Sequence, residues 1–302
     1  MSTSVLFDAP GPRTRRRIVL GSILAGVALA AVAVFVLLRL QAQGQLTEEK
    51  WGPLINPANP YFVALWTNLG VALLRNVQAA VLAMAFSLLL GTLLAVTRIS
   101  LPRWVRWAVV GPMEFFRGLP VVIAIFFAAR VLPELEVHLP LLWYLVIGLT
   151  AYNSVIIAEV VRAGIASLPR GQAEAAAAVG LTRGQAMRSI LLPQAFRTML
   201  PALISQLVVI FKDTSLGFVI VYPEAVKFAQ VAAQQPELRN PLQLYLAVGA
   251  IFVLINYLLS KLAVWVERRV SRARRVAGAG KTEQLTTETA ALATTDRTLG
   301  LG

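Results

Sequence analysis

Runs of apolar residues long enough to cross a bilayer decide what this chain can become. A hydrocarbon core about 30 Å thick requires roughly 20 apolar helical residues. The sequence supplies such runs at residues 18–40, 78–97, 109–131, 141–161, 202–222 and 242–264. They are continuous, unlike the short alternating segments of a membrane β-barrel. The expected fold class is therefore all-α: a polytopic membrane protein with about six transmembrane helices. Charged residues make up only 14% of the chain, against about 25% in a soluble protein.

The formal net charge of +13 would suggest nucleic acid on a soluble protein. Here the basic residues gather at the ends of the apolar runs, as cytoplasmic loops require, and no nucleic-acid partner is expected. Arg13, Arg15, Arg16 and Arg17 precede the first run. Arg98, Arg103 and Arg106 follow the second. Arg162, Arg170, Arg183, Arg188 and Arg197 follow the fourth, and Arg268, Arg269, Arg272, Arg274 and Arg275 follow the sixth. Acidic connections alternate with these: Glu48 and Glu49, Glu134 and Glu136, then Glu224 and Glu237. The expectation is a multi-pass protein of the plasma (cytoplasmic) membrane with both termini in the cytoplasm. Residues 1–17 form a basic cytoplasmic N-terminus. The run at 18–40 is too long for a signal peptide, and no small-residue cleavage site follows before Arg39. Residues 41–62 read as an external loop, 63–77 as an amphipathic lead-in to the second span, and 276–302 as a disordered cytoplasmic tail. With no cysteine and the single histidine, His138, in a short connection, no metal site is expected.

The connection between the fourth and fifth spans carries the most specific pattern. Glu174-Ala175-Ala176 is followed after three residues by Gly180, and after nine more by Ile190-Leu191-Leu192-Pro193. Gln172 through Val179 are mostly strong helix formers. Gly180 occupies the place of a left-handed residue beyond a helix C-terminus. Thr182 with Gln185 reads as a capping box for a second helix, which Pro193 perturbs or ends. Alanines let a helix approach a partner surface closely, and the glycine fixes the angle between the two helices. Glu174 either pairs with a basic residue on that partner or caps its own helix.

This spacing resembles the EAA loop of ABC importer permeases. Glu114-Phe115-Phe116-Arg117-Gly118-Leu119-Pro120 is similar to the E-F-F-R-G-x-P signature of polar amino acid permeases. Arg162-Ala163-Gly164-Ile165, Gly171-Gln172, Leu192-Pro193-Gln194-Ala195 and Lys212-Asp213-Thr214-Ser215-Leu216 belong to the same pattern. The resemblance covers roughly residues 65–265, and the chain resembles the permease subunit of a polar amino acid ABC importer. The basic N-terminus, Tyr152-Asn153-Ser154 and the Lys-Asp-Thr-Ser run are most like the D-type permeases of actinobacterial glutamate importers. The resemblance implies a type I permease domain over 63–265 with a cytoplasmic coupling loop at 162–200, in which Glu174, Ala175, Ala176, Gly180, Leu181 and Pro193 dock on the ATPase. It implies an ABC ATPase dimer, a second permease subunit, homologous or identical, an extracytoplasmic substrate-binding protein and an amino acid substrate. No cofactor is expected in this chain, since the partner ATPase binds the ATP.

Charges within the spans are candidates for the substrate pathway. Lys212 and Asp213 lie inside the fifth run, where each charge costs about 2.5–3.5 kcal/mol at mid-bilayer. Neighbours about 100° apart on a helix do not simply pair with each other. They pair with another span or line an aqueous path. Thr214 and Ser215 add hydroxyls that bond either substrate or their own backbone. Glu114 and Arg117, spaced i, i+3, form a structural ion pair or meet the ammonium and carboxylate of an amino acid. Glu159 and Arg162 have the same spacing and read as a structural pair.

Gly278-Ala279-Gly280-Lys281-Thr282 imitates the end of a phosphate-binding loop, but the first glycine of that pattern is replaced by Arg275. The chain is thus expected to be a transport subunit and not an ATPase. An ion-gradient-driven secondary transporter is the alternative, with Asp213 as its coupling carboxylate.

Overall fold

The structure, a computed structural model, describes residues 11–236, 238 and 240–298, with side chains described except at 103–105, 109 and 270–298. Residues 1–10 of the expected N-terminal segment, Glu237 and the last four residues of the expected tail lie outside the described residues. All regular structure among the described residues is helical. Five helices are long and apolar enough to cross a membrane, or six if one bent pair counts as a span. The spans are α1 (Pro12–Ala42), α3 (Phe62–Ser100), the pair α4 (Arg103–Gly118) and α5 (Val121–Glu134), α6 (Leu141–Ala166), the segment containing α9 (Leu192–Asp213), and the first half of α11 (Pro241–Thr298).

The long helix α3 organises the bundle. Its 39 residues span about 58 Å at 1.5 Å per residue, roughly twice a hydrocarbon core. It passes three stacked apolar clusters. At its start Leu65, Leu69 and Ala72 pack with Leu54 of α2 (Glu48–Ile55), with Ala225 and Ala229 of α10 (Ala225–Ala232), and with Leu244 of α11. In the middle Ala79, Ala80 and Ala83 meet Ile125, Leu145, Leu149, Ile210 and Phe211. At its end Ala95 meets Met113, Val155, Val161, Ala195 and Met199. The lead-in expected at 63–77 is therefore not a separate element. Asn68, Arg75 and Asn76 belong to the same helix; Asn68 and Arg75 are exposed and Asn76 is buried.

Small residues set the spacing. Ala80, Ala83, Ser87, Gly91 and Ala95 recur every three or four positions and are all buried, a seam of the kind that brings membrane helices close. A Cβ on Gly91 would lie 2.7 Å from the Ser154 carbonyl oxygen of α6, and one on Gly148 of α6 would lie 2.5 Å from the Ile125 Cα of α5. A Gly148→Ala variant is expected to lose about 1–3 kcal/mol through forced separation of α5 and α6. Gly249→Ala, with open space around it, should stay within about 0.5 kcal/mol. Thermal unfolding of the two variants in detergent checks the contrast; equal midpoints would refute the close-packing account.

Three further sequence expectations are corrected. The third span, expected as one helix over 109–131, is two helices meeting at 107°. Leu119 takes an extended conformation (ψ 136°), as the residue before a proline prefers, and Pro120 starts α5. The fifth span is not one α-helix over 202–222: α9 stops at Asp213 and tightens into a 3-10 helix over Thr214–Ile220. The tail over 276–298, expected to be disordered, continues α11 as helix to Thr298; alanine, glutamine and glutamate there are good helix formers. Helix α1 does appear where the first apolar run predicts it, and none of its residues is buried.

Candidate functional site

The connection after α6 folds as helix, glycine turn, helix. Helix α7 (Arg170–Ala178) ends in a Schellman motif: the Gly180 amide donates to the Ala177 carbonyl (3.0 Å) and the Leu181 amide to the Ala176 carbonyl (3.1 Å). Gly180 has φ +80°, the left-handed conformation that an L side chain adopts only at a cost. Thr182 then opens α8 (Arg183–Ala186) with a full capping box. The Gln185 amide donates to Thr182 Oγ1, and the Thr182 amide donates to Gln185 Oε1.

The expected docking residues divide between two faces. Glu174 and Ala175 are exposed, as is Val179, at 75%. Ala176 is 1% exposed and turned inward, and its carbonyl accepts from the Leu181 amide. Glu174 makes no hydrogen bond or ion pair among the described residues, so it does not cap its own helix. Gln194 Nε2 donates to Gln172 Oε1 across the turn (3.2 Å), tying α9 to α7.

Pro193 does not end the second helix. Residues Met187–Leu191 form one turn of π-helix, and Leu192 and Pro193 then begin α9. A proline lacks the amide of an α-helical ladder and crowds the carbonyl four residues back; a wider turn ahead of it absorbs both effects. The helical path from Arg183 to Ile220 is thereby continuous over 38 residues. It joins the Gly180 turn directly to Lys212 and Asp213.

At that far end Lys212 is exposed and Asp213 half-buried, and no salt bridge joins either to another helix among the described residues. No pairing of either residue with another span is present among the described residues. The two hydroxyls bond back to their own helix: Thr214 Oγ1 donates to the Phe211 carbonyl (2.6 Å) and Ser215 Oγ to the Lys212 carbonyl (2.8 Å). Thr214 is fully buried, whereas Ser215 is not. Glu114 and Arg117 stand 3.9 Å apart with more than half of each side chain exposed, a pair that contributes little to stability. They close α4 just before the 107° bend.

Two arrangements were not legible in the sequence. The first is a buried polar node between the N-terminal half of α3, the 3-10 segment and α10. Asn76 Nδ2 donates to Thr214 Oγ1 (2.9 Å) and to Glu224 Oε2 (3.2 Å), and Asn76 Oδ1 accepts from the Ala225 amide (3.0 Å). Glu224 caps α10, accepting from the Val226 amide (2.9 Å) and the Lys227 amide (2.7 Å). Asn76, Thr214 and Glu224 are all fully buried. Burial pushes the Glu224 carboxyl up, and its hydrogen bonds from Val226, Lys227 and Asn76 pull the other way. Between Thr214 and Glu224, Val221 is held at φ +63°, a strained place for a β-branched residue. Asn76 fell within the expected amphipathic lead-in at 63–77, and Glu224 was read as an acidic loop residue.

The second is a clamp at the opposite end of α3. Glu159 of α6 accepts from Arg98 of α3 and from Arg162 (Nε, 2.9 Å). The local Glu159–Arg162 pair was expected; the bridge to α3 was not. The clamp locks the C-terminal ends of α3 and α6 together, eight residues before the connection that carries α7.

Comparison with known proteins places this geometry among transport subunits. Residues 87–272 match the family described as binding-protein-dependent transport system inner membrane component. The glutamate transport system permease protein GluD of Corynebacterium glutamicum is 40% identical over 242 residues, 78% of this chain and 86% of that protein. The probable glutamine ABC transporter permease protein GlnP of Bacillus subtilis is 32% identical over 211 residues, 68% of this chain and 93% of that protein. Among solved structures, one chain of an amino acid ABC transporter crystallised with histidines superposes with a TM-score of 0.62 at 26% identity, over 69% of this chain and 96% of that one. A chain of the inward-facing MetNI methionine ABC transporter shares the fold, with a TM-score of 0.55 at 21% identity, over 70% of this chain and 99% of that one.

Proposed function

The chain belongs to the family of binding-protein-dependent transport system inner membrane components, as an amino acid importer permease whose ATP is hydrolysed by a separate subunit, and we propose that its substrate is glutamate or a related polar amino acid. The 40% identity to a glutamate permease carries the substrate reading. The partners are an ATPase dimer, a second permease subunit and an extracytoplasmic binding protein, and both termini lie in the cytoplasm. The ion-gradient alternative has no support from these relatives.

The mechanism follows from the continuous helix between the Gly180 turn and Lys212. ATP binding closes the ATPase dimer, on which the exposed face of Glu174, Ala175 and Val179 is seated. Ala176, Leu181 and Pro193 act behind that face by fixing its angle to α9. Movement of the turn is carried along α9 to Lys212, Asp213 and Ser215, and the spans rock between outward and inward openings. Lys212 is the cationic group that an acidic substrate would meet. Thr214 supports the segment from behind, and Glu114 with Arg117 flanks the second break in the bundle.

The experiment is affinity purification of the full chain in mild detergent with mass spectrometry of its partners, paired with uptake of labelled glutamate in cells with and without the gene. Co-purification of an ATPase and a related permease, with glutamate uptake lost on deletion and competed by aspartate or glutamine, is the expected result. An intact complex with unchanged glutamate uptake would overturn the substrate while leaving the permease assignment in place.

A further inference from the structure

We propose that the inner ends of α3 and α4 form a binding site for an anionic phospholipid, with the headgroup phosphate between Arg98 and Arg106 and an acyl chain in the apolar cleft beside them. A groove of about 400 Å³ lies between the two helices, lined by Arg98, Arg106, Trp107 and Val110. A second cleft of about 340 Å³ lies between the same helices and α6. Leu90 and Leu94 of α3 line it, with Pro112, Met113 and Phe116 of α4 among the facing residues. Both volumes suit a small ligand rather than a macromolecule. Leu90, Leu94 and Arg98 are spaced four apart, so one stripe of α3 changes from apolar to cationic at its inner end.

That order is the order of a phospholipid, not of a free anion: a charged head at the membrane edge with a hydrocarbon slot behind it. Charge points the same way. Arg98 is already held by Glu159, which Arg162 also shares, so the local ledger is three guanidinium groups, counting Arg106, to one carboxylate. Arg106 has no carboxylate partner among the described residues. Trp107 is 69% exposed at the rim, the place an amphipathic ring takes at headgroup level. Basic grooves of this kind between membrane helices suit lipid phosphates.

The site sits on the side that carries α7, at the helix end the Glu159 clamp fixes. An occupied groove therefore braces the segment through which α3 and α6 move together. Its ligand is structural and is not the transported substrate.

The test is native mass spectrometry of the complex purified with its ATPase, titrated separately with phosphatidylglycerol, phosphatidylcholine and inorganic phosphate. Wild type should retain phosphatidylglycerol over phosphatidylcholine by about fivefold, the preference one unpaired arginine supplies near a membrane surface. The exposed Arg106→Gln change should abolish that preference without loss of complex. Leu94→Trp, which fills the cleft, should lower retention of both lipids. Equal retention of the two lipids by wild type, or an unchanged preference in Arg106→Gln, would overturn the site. Displacement of phosphatidylglycerol by inorganic phosphate alone would show a free-anion site and reject the lipid. Because the readout is binding within an assembled complex, failure here leaves the importer assignment untouched.

Discussion

Cells carrying Gly180→Asp should import substrate only at the background rate of cells lacking the gene, with the chain still present in the membrane at its normal level. Gly180 stands at φ +80° with open space around it, so no steric clash accompanies the change. Aspartate tolerates the left-handed region better than most residues, and the local strain is about 1–2 kcal/mol, too little to unfold a bundle of this size. What changes is the surface. A carboxylate appears at the vertex between α7 and α8, on the connection that also exposes Glu174, and the angle between the helices is no longer fixed by a residue free of side chain. Disruption of one well-packed anchor costs about 2–4 kcal/mol in association, or roughly thirty- to a thousandfold. Gly180→Ala adds strain without charge and should retain part of the uptake. Immunoblots of membranes, ATPase co-purification and uptake rates separate the outcomes. Normal uptake by Gly180→Asp would remove the coupling role from this turn.

Removal of the Asn76 amide should be the most damaging single change to stability. In Asn76→Leu the buried Thr214 hydroxyl, the Glu224 carboxylate and the Ala225 amide each lose a partner at once. The Ala225 amide is left without an acceptor and the buried Glu224 carboxylate keeps only the Val226 and Lys227 amides, which together cost about 3–5 kcal/mol, a large share of a typical stability. The variant should melt far earlier or fail to accumulate, and restoration of expression by a simultaneous Glu224→Gln change would show that the under-satisfied carboxylate is the main cause. The same group sets a pH dependence. Glu224 lies beyond the span that ends at Ile220, and its carboxyl is raised, first by burial, with hydrogen bonds opposing. The folded chain then holds the proton more tightly than the unfolded chain. Its contribution is full below the ordinary glutamate value and is lost as pH rises through the raised one. Relative to Glu224→Gln, wild type should therefore gain thermal stability as pH falls from about 8 to about 5. A difference that is flat, or that grows in the opposite direction, would contradict the burial account.

The apolar runs made the helical membrane bundle legible, because hydrophobic length is a local property. The Gly180 turn and the Thr182–Gln185 box were legible for the same reason: each is satisfied by atoms within a few residues. Leu119 shows where that limit lies. The proline that bends the chain is plain in the sequence, but apolar residues on both sides let the run pass as one straight span. The fusion of 63–77 into α3 was hidden because Asn76 is satisfied by Thr214 and Glu224, more than a hundred residues away. A separation of 61 residues likewise hid the bridge from Arg98 to Glu159, whose nearer partner Arg162 already explained it. Pro193 misled in the other direction: a strong local breaker is accommodated by one wide turn, and only the three-dimensional course shows that the helix goes on.

That uninterrupted course from Arg183 to Asp213 has a consequence for how such a chain can change over generations. The Gly180–Thr182 turn sets the angle between two short helices by its own local hydrogen bonds. Beyond it every residue adds about 100° of rotation, so a single inserted or deleted codon anywhere along that stretch would swing Lys212 and Asp213 a quarter turn or more away from their present facing. Substitutions can drift there; length cannot.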